Sequence, residues 1–253
     1  MRKKSKLFAV ILIIAILLFQ VAFAEPIAIP KIGLSMEPAT EPADAVNTIQ
    51  IILLLTILAL APSILIMMTS FTRIIIILSF LRNALGTQQM PPNQILIGLA
   101  LFLTFFIMSP TFAKINDQAL QPYLANEISQ QEAFNQAILP IKEFMLGQIR
   151  GEKDLALFVE LSGQPAPENL SDLSMTVIIP AFILSELKIA FQIGFIIYIP
   201  FLVIDMVVSS TLMSMGMMML PPVMISLPFK ILLFILVDGW NLVVQSIVTG
   251  FVR

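Results

Sequence analysis

Along this chain, apolar stretches long enough to approach a membrane's thickness alternate with breaks rich in proline, glycine and amides, a rhythm that predicts helices. The first stretch covers residues 47–68 and carries Pro62, which predicts a kink or a broken helix in its last third. Residues 74–81 continue apolar between Arg73 and Arg82, and the breaker GTQQMPPN follows at 86–93. A second stretch, 94–108, closes at Pro110. At about 1.5 Å per residue it is marginal for spanning hydrocarbon unless it tilts or continues. The third and fourth stretches, 177–206 and 223–248, are joined by PFLVIDMVVSSTLMSMGMMMLPP at 200–222. They therefore form a hairpin whose bend carries Met213, Met215, Met217, Met218 and Met219 around Gly216, ending on Pro221 and Pro222. The fold class is an all-α membrane protein of helical hairpins.

Composition supports that class, since 58% of the 253 residues are hydrophobic and only 12% are charged. With no Cys and no His, disulfides, thiolate chemistry, imidazole bases and the commonest zinc sites are excluded; no catalytic residue, cofactor or metal site emerges.

The first 24 residues open on Arg2, Lys3, Lys4 and Lys6, continue apolar over 7–19 and end Ala22-Phe23-Ala24. That is a secretory signal peptide cut between Ala24 and Glu25, the alternative being an uncleaved first transmembrane helix. Cleavage leaves ten basic against sixteen acidic residues, an acidic protein without a nucleic-acid footprint. Residues 25–46 then form an extracytoplasmic lead-in, 47–110 a first hydrophobic hairpin, 111–174 an acidic helical domain and 175–253 a second hairpin with the methionine bend. The acidic domain holds nine acidic and four basic residues, and a helix is expected over 129–149. Arg73 and Arg82 lie in an interval, 69–93, that has no acid, which places it in the cytoplasm and the acidic domain outside, with four mature crossings. The prolines leave open re-entrant or stacked hairpins surrounded by other subunits.

Glu186 and Lys188 stand two residues apart in an apolar helix, about 200 degrees around its axis, so they do not face each other. With Asp205, Lys230 and Asp238 they suggest ion pairing between helices or subunits; hydration or snorkelling at the membrane interface is the alternative. The methionine cluster reads either as a packing surface or as a ring of flexible thioethers closing a channel by excluding water.

Two long motifs carry a resemblance, PAFILSELKIAFQIG at 180–194 and PFLVIDMVVSSTLMSMGMMMLPP at 200–222. They are supported by TSFTRIIIILSFLRNALGTQQMPPNQILIGLALFLTFFIMSP at 69–110 and FKILLFILVDGWNL at 229–242. From residue 47 onward the chain resembles the FliP family of type III secretion export-gate proteins. The resemblance implies an export gate rather than an enzyme, in the bacterial inner membrane within the flagellar basal body. It implies five copies joined to FliR-like and FliQ-like gate subunits in a helical cone, with FlhB-like and FlhA-like export components nearby. The cargo implied is unfolded rod, hook and filament protein. By the same resemblance the five methionines become a pore gasket, the five charged residues become pairing candidates, and 111–174 becomes a domain that helps subunits assemble. A scaffold needed only to nucleate the complex, a small-ion or solute transporter using Asp205 and Glu186, and a virulence-secretion role remain as rival readings.

Overall fold

A computed structural model describes residues 42–87, 89–163, 169–217 and 219–251. The signal peptide with Ala24 and Glu25, most of the lead-in, and Met218 lie outside the described residues. The chain divides into two units, Met1–Ile52 and Leu53–Arg253. In the first, the described residues are the opening turns of α1 (Pro42–Met68). In the second, the rest of α1 is followed by α2 (Phe71–Leu85) and α3 (Asn93–Ile115). A π-helical turn (Asn116–Leu120) leads into α4 (Gln121–Leu124), and α5 (Gln130–Gln148) and α6 (Glu152–Leu161) follow. After a 3-10 turn come α7 (Met175–Ser214), α8 (Pro222–Leu236) and α9 (Gly239–Thr249).

The core is built around α2 and α7. On α2, Ile74, Ile77, Leu78, Leu81 and Leu85 recur every three or four residues and are buried as one stripe. Ala190 and Phe201 of α7, Leu96 and Ala100 of α3, and Phe234 and Ile247 of α8 and α9 complete that cluster. A second cluster joins Met145 of α5 to Val177, Ile178 and Phe182 of α7, so the acidic segment packs onto the front half of α7. The helix expected over 129–149 is present, and the Ser129 side chain accepts a hydrogen bond from the Glu132 backbone N–H at 3.2 Å, a side-chain N-cap.

The spans differ from those the hydropathy suggested. Pro110 does not end the second; the helix continues through it, and α3 to α4 forms one apolar run, Asn93–Leu124, of 32 residues. A proline deletes one backbone donor, a loss that a long helix survives by local adjustment. Similarly, α1 continues past Pro62, and α7 runs 40 residues through Pro180 and Pro200. The fourth span is not straight, because α8 and α9 meet at 64°. Among the described residues, two helices are long and apolar enough to cross a membrane, or three if the bent pair counts as one span.

The bend has a local cause. Asp238 adopts a left-handed backbone (φ 51°), breaking the helix, and Gly239 sits so close beneath the Phe234 ring that a Cβ there would lie 2.2 Å from ring carbons. Gly239→Ala is therefore expected to displace Phe234 from its edge-on contact with Trp240 and to cost about 1–3 kcal/mol. The fluorescence emission of Trp240, the one tryptophan, should change as its ring loses that contact, and an unmoved spectrum with unchanged stability would contradict this account.

Candidate functional site: the methionine bend and the ion pairs beneath it

The methionine bend begins as a helix end. Gly216 has φ 77°, its N–H donates to the Met213 carbonyl at 3.0 Å, and the Met217 N–H donates to the Leu212 carbonyl at 3.0 Å. This pair of bonds is a Schellman closure, which needs a left-handed residue where Gly216 stands. Pro221 and Pro222 then start α8, proline being suited to a first helical turn that has no donor to lose. The turn holds its thioethers outward: Met213 and Met215 are about two-thirds exposed, Met219 is 98% exposed and Met217 is partly buried. Flexible apolar side chains standing free of their own fold are an unpartnered surface.

Below the bend the two arms of the hairpin are tied by charge. Asp205 of α7 accepts from the Lys230 ammonium at 2.7 Å and from the Ser226 hydroxyl at 2.5 Å, both on α8. Ser226 and Lys230 are four residues apart and share a face. Lys230 is only 2% exposed and also donates to the Ala84 carbonyl at 3.2 Å, at the C-terminal end of α2. There the helix dipole and its unpaired carbonyls favour a cation. One lysine thus fastens three helices. Between this tie and the bend lies an apolar furrow of about 500 Å³ lined by Val203, Val207, Thr211, Ile225 and Phe229.

A second tie lies at the other end of α2. Arg73, 1% exposed, meets the fully buried Glu186 through two nitrogens, Nε at 2.8 Å and Nη2. Its remaining donors reach the Gly250 carbonyl and the Gln148 side chain, both at 3.3 Å, and its guanidinium stacks 3.7 Å from the centre of the Phe251 ring. The planar fork of arginine suits this bidentate, stacked role as lysine would not. Arg150 donates to the same Gly250 carbonyl at 2.8 Å. α2, α5, α7 and the end of α9 converge on this point.

The remaining charged candidates separate. Lys188, more than half exposed, pairs with Asp154 of α6, so it and Glu186 do point to different elements. Asp238 accepts from the Asn241 side-chain amide at 3.2 Å and is joined to no cation among the described residues. Arg73, one of the two arginines expected on the cytoplasmic side, is a buried helical residue paired with Glu186; Arg82, the other, lies on the same helix and donates to the Asn93 side chain and the Pro91 carbonyl. Sequence reasoning did not pair Arg73 with Glu186, Asp154 with Lys188, or Ser226 with Asp205. Arg73 and Glu186, each a charge on the apolar stripe of its own helix, were the signal for the first of these.

Long apolar helices, with the buried charges of Glu186 and Lys230 each held by an oppositely charged partner, define a multi-pass helical membrane protein. Comparison with known proteins makes the assignment specific. Residues 54–247 match the FliP family, and the chain belongs to it. It is 62% identical over 213 residues to the flagellar biosynthetic protein FliP of Bacillus subtilis (strain 168), covering 84% of this chain and 96% of that protein. It is 55% identical over 207 residues to the protein of the same name from Caulobacter vibrioides, covering 82% and 77%. The Aquifex aeolicus counterpart is 53% identical over 208 residues, covering 81% and 87%.

Proposed function

We propose that this chain lends its methionine bend to the seal of the flagellar protein export gate. The chain is a subunit of that gate, a multi-pass protein of the bacterial inner membrane, and a transport component rather than an enzyme. Family membership implies FliQ-like, FliR-like, FlhA-like and FlhB-like partners, and in this proposal five copies surround the path of unfolded rod, hook and filament proteins. The observation that carries the sealing role is the outward display of Met213, Met215 and Met219 on a turn held by Gly216 and the paired prolines. Brought together around an axis, such side chains would exclude water and ions, yet unbranched thioethers move aside for a bulky chain. The ties at Asp205–Lys230 and Arg73–Glu186 hold the hairpin to the body while the bend deforms.

Replacing Met217, Met218 and Met219 together by Ala is expected to raise small-solute leakage through assembled gates while leaving assembly largely intact, because truncation widens a dewetted constriction. Leakage is read in cells carrying the variant, with complex formation checked by co-purification; unchanged leakage in an intact complex would remove the seal from this turn. Met217→Cys adds a direct readout, since the sequence has no other cysteine. Crosslinks between copies that vanish when a substrate is stalled in transit support a gasket, and absent crosslinks in an intact complex favour a scaffold role.

A further inference from the structure

We propose that the methionine bend is a coordination site for a soft monovalent cation, Cu(I) or Ag(I), held by the thioether sulfurs of Met213, Met217 and Met219. Five of the chain's 15 methionines fall within residues 213–219. The site lies within one chain, and it holds whether or not the same bend seals a pore.

Ligand chemistry selects the ion. Thioether sulfur is a soft, neutral donor that favours Cu(I), whereas magnesium and calcium require oxygen and zinc favours thiolate and imidazole. From Leu212 to Pro222 the sole polar side chain is that of Ser214, and its hydroxyl donates to the Thr211 carbonyl at 2.7 Å. The sequence has no Asp or Glu between Asp205 and Asp238, and Asp205 is held by Lys230 and Ser226. With no His and no Cys in the sequence, methionine is the one soft side chain it offers. Hard and borderline cations therefore find no side-chain ligand suited to them at the bend, and a soft cation finds a cluster of them.

The turn gathers those sulfurs. The Met217 N–H donates to the Leu212 carbonyl, so the closure at Gly216 returns Met217 to the helix end that carries Met213. Met215 is two residues from Met213, about 200 degrees around the helix, and belongs to another side of the turn. Met219 is 98% exposed within its own chain, so its sulfur is not committed to the core and can fill a third position around the ion. Unbranched thioethers have three rotatable bonds each, which lets the sulfurs converge by side-chain rotation. Copies gathered around an axis would present the same residues again, adding thioethers and no harder ligand. A bound ion would brace the bend across Gly216, joining the last turn of α7 to the segment that enters α8.

The test uses the full chain, purified in detergent and carrying methionine labelled with 13C at its methyl group. The probe is Ag(I) nitrate in chloride-free buffer, since Ag(I) shares the charge and softness of Cu(I) and is not oxidised by air. The methyl resonances of Met213, Met217 and Met219, assigned through single Met→Leu variants, are expected to shift together on the first addition of Ag(I). That of Met90, an exposed methionine outside the bend, is expected to stay in place. Met213→Leu and Met219→Leu keep the apolar bulk and lose the sulfur. Each is expected to weaken Ag(I) binding at least about tenfold, the lower end of the loss seen when even a group supporting a metal ligand is removed. Met90→Leu is expected to leave the affinity unchanged. Equal affinity in the parent and in Met213→Leu or Met219→Leu overturns the site, as does a shift spread evenly over all the methionines, Met90 included, or no shift at all. These outcomes are separate from those of the sealing role. Unchanged leakage in the alanine variant of the bend would remove the seal and leave the Ag(I) result standing, whereas absent Ag(I) binding would remove this site and leave the seal standing.

Discussion

Arg73→Ala is expected to destabilise the protein by about 5 kcal/mol and Glu186→Ala by about 3 kcal/mol, the two ends of the range for breaking a buried ion pair from one side. The asymmetry follows from what each leaves behind. Without Arg73, the fully buried Glu186 carboxylate has no donor among its hydrogen bonds and must either stay charged in an apolar setting or take up a proton. Without Glu186, Arg73 keeps the Gly250 carbonyl, the Gln148 side-chain oxygen and the face of Phe251. The double variant should be less destabilised than the sum of the two, since removing both charges leaves neither uncompensated. Unfolding of the purified protein by sodium dodecyl sulfate titration, followed by helical circular dichroism, measures all three. A Glu186→Ala loss equal to or greater than that of Arg73→Ala would show that the neutral acceptors around Arg73 do not hold it.

The same pair marks where sequence reasoning reached and where it stopped. Helices were legible because apolar residues recur with a helical period at α2 and α7 and because Ser129 and Gly216 carry their capping chemistry in their identity. Helix ends were less so: Pro110 looks like a terminator and Pro62 like a kink or break in one dimension, but each removes a single donor and the surrounding turns carry the helix on. The break at Asp238 went the other way: the Asp238-Gly239 dipeptide is a turn signal inside the apolar run 223–248, and the structure places a left-handed Asp238 there with Gly239 against Phe234. Among the site residues, that Glu186 and Lys188 look in different directions follows from helical geometry alone. Their partners, Arg73 and Asp154, lie 113 and 34 residues away and are fixed only by tertiary packing. The outward methionines were visible as a cluster, but their exposure depends on the Schellman turn that presents them.

Asp205→Ala is expected to cost about 3 kcal/mol, while Lys230→Met costs about 1 kcal/mol, because the two partners differ in burial rather than in charge. Lys230 is 2% exposed, and losing Asp205 leaves its ammonium with the Ala84 carbonyl alone inside the helix cluster. Asp205 is 26% exposed and keeps the Ser226 hydroxyl, so it is hydrated when the lysine is replaced by an apolar chain of similar length. The consequence reaches the methionine bend. Asp205 and Lys230 are the charged link between α7 and α8, and the apolar furrow above them gives the arms little else that fixes their register. Nitroxide pairs at Met213→Cys and Met224→Cys, both 63% exposed, report the separation of the arms in a sequence with no native cysteine. A narrow distance distribution in the parent should broaden in Asp205→Ala and stay narrow in Lys230→Met. If Asp205→Ala lowers stability with the distribution unchanged, the pair contributes to stability alone, and the furrow, not the charge, sets the posture of the bend.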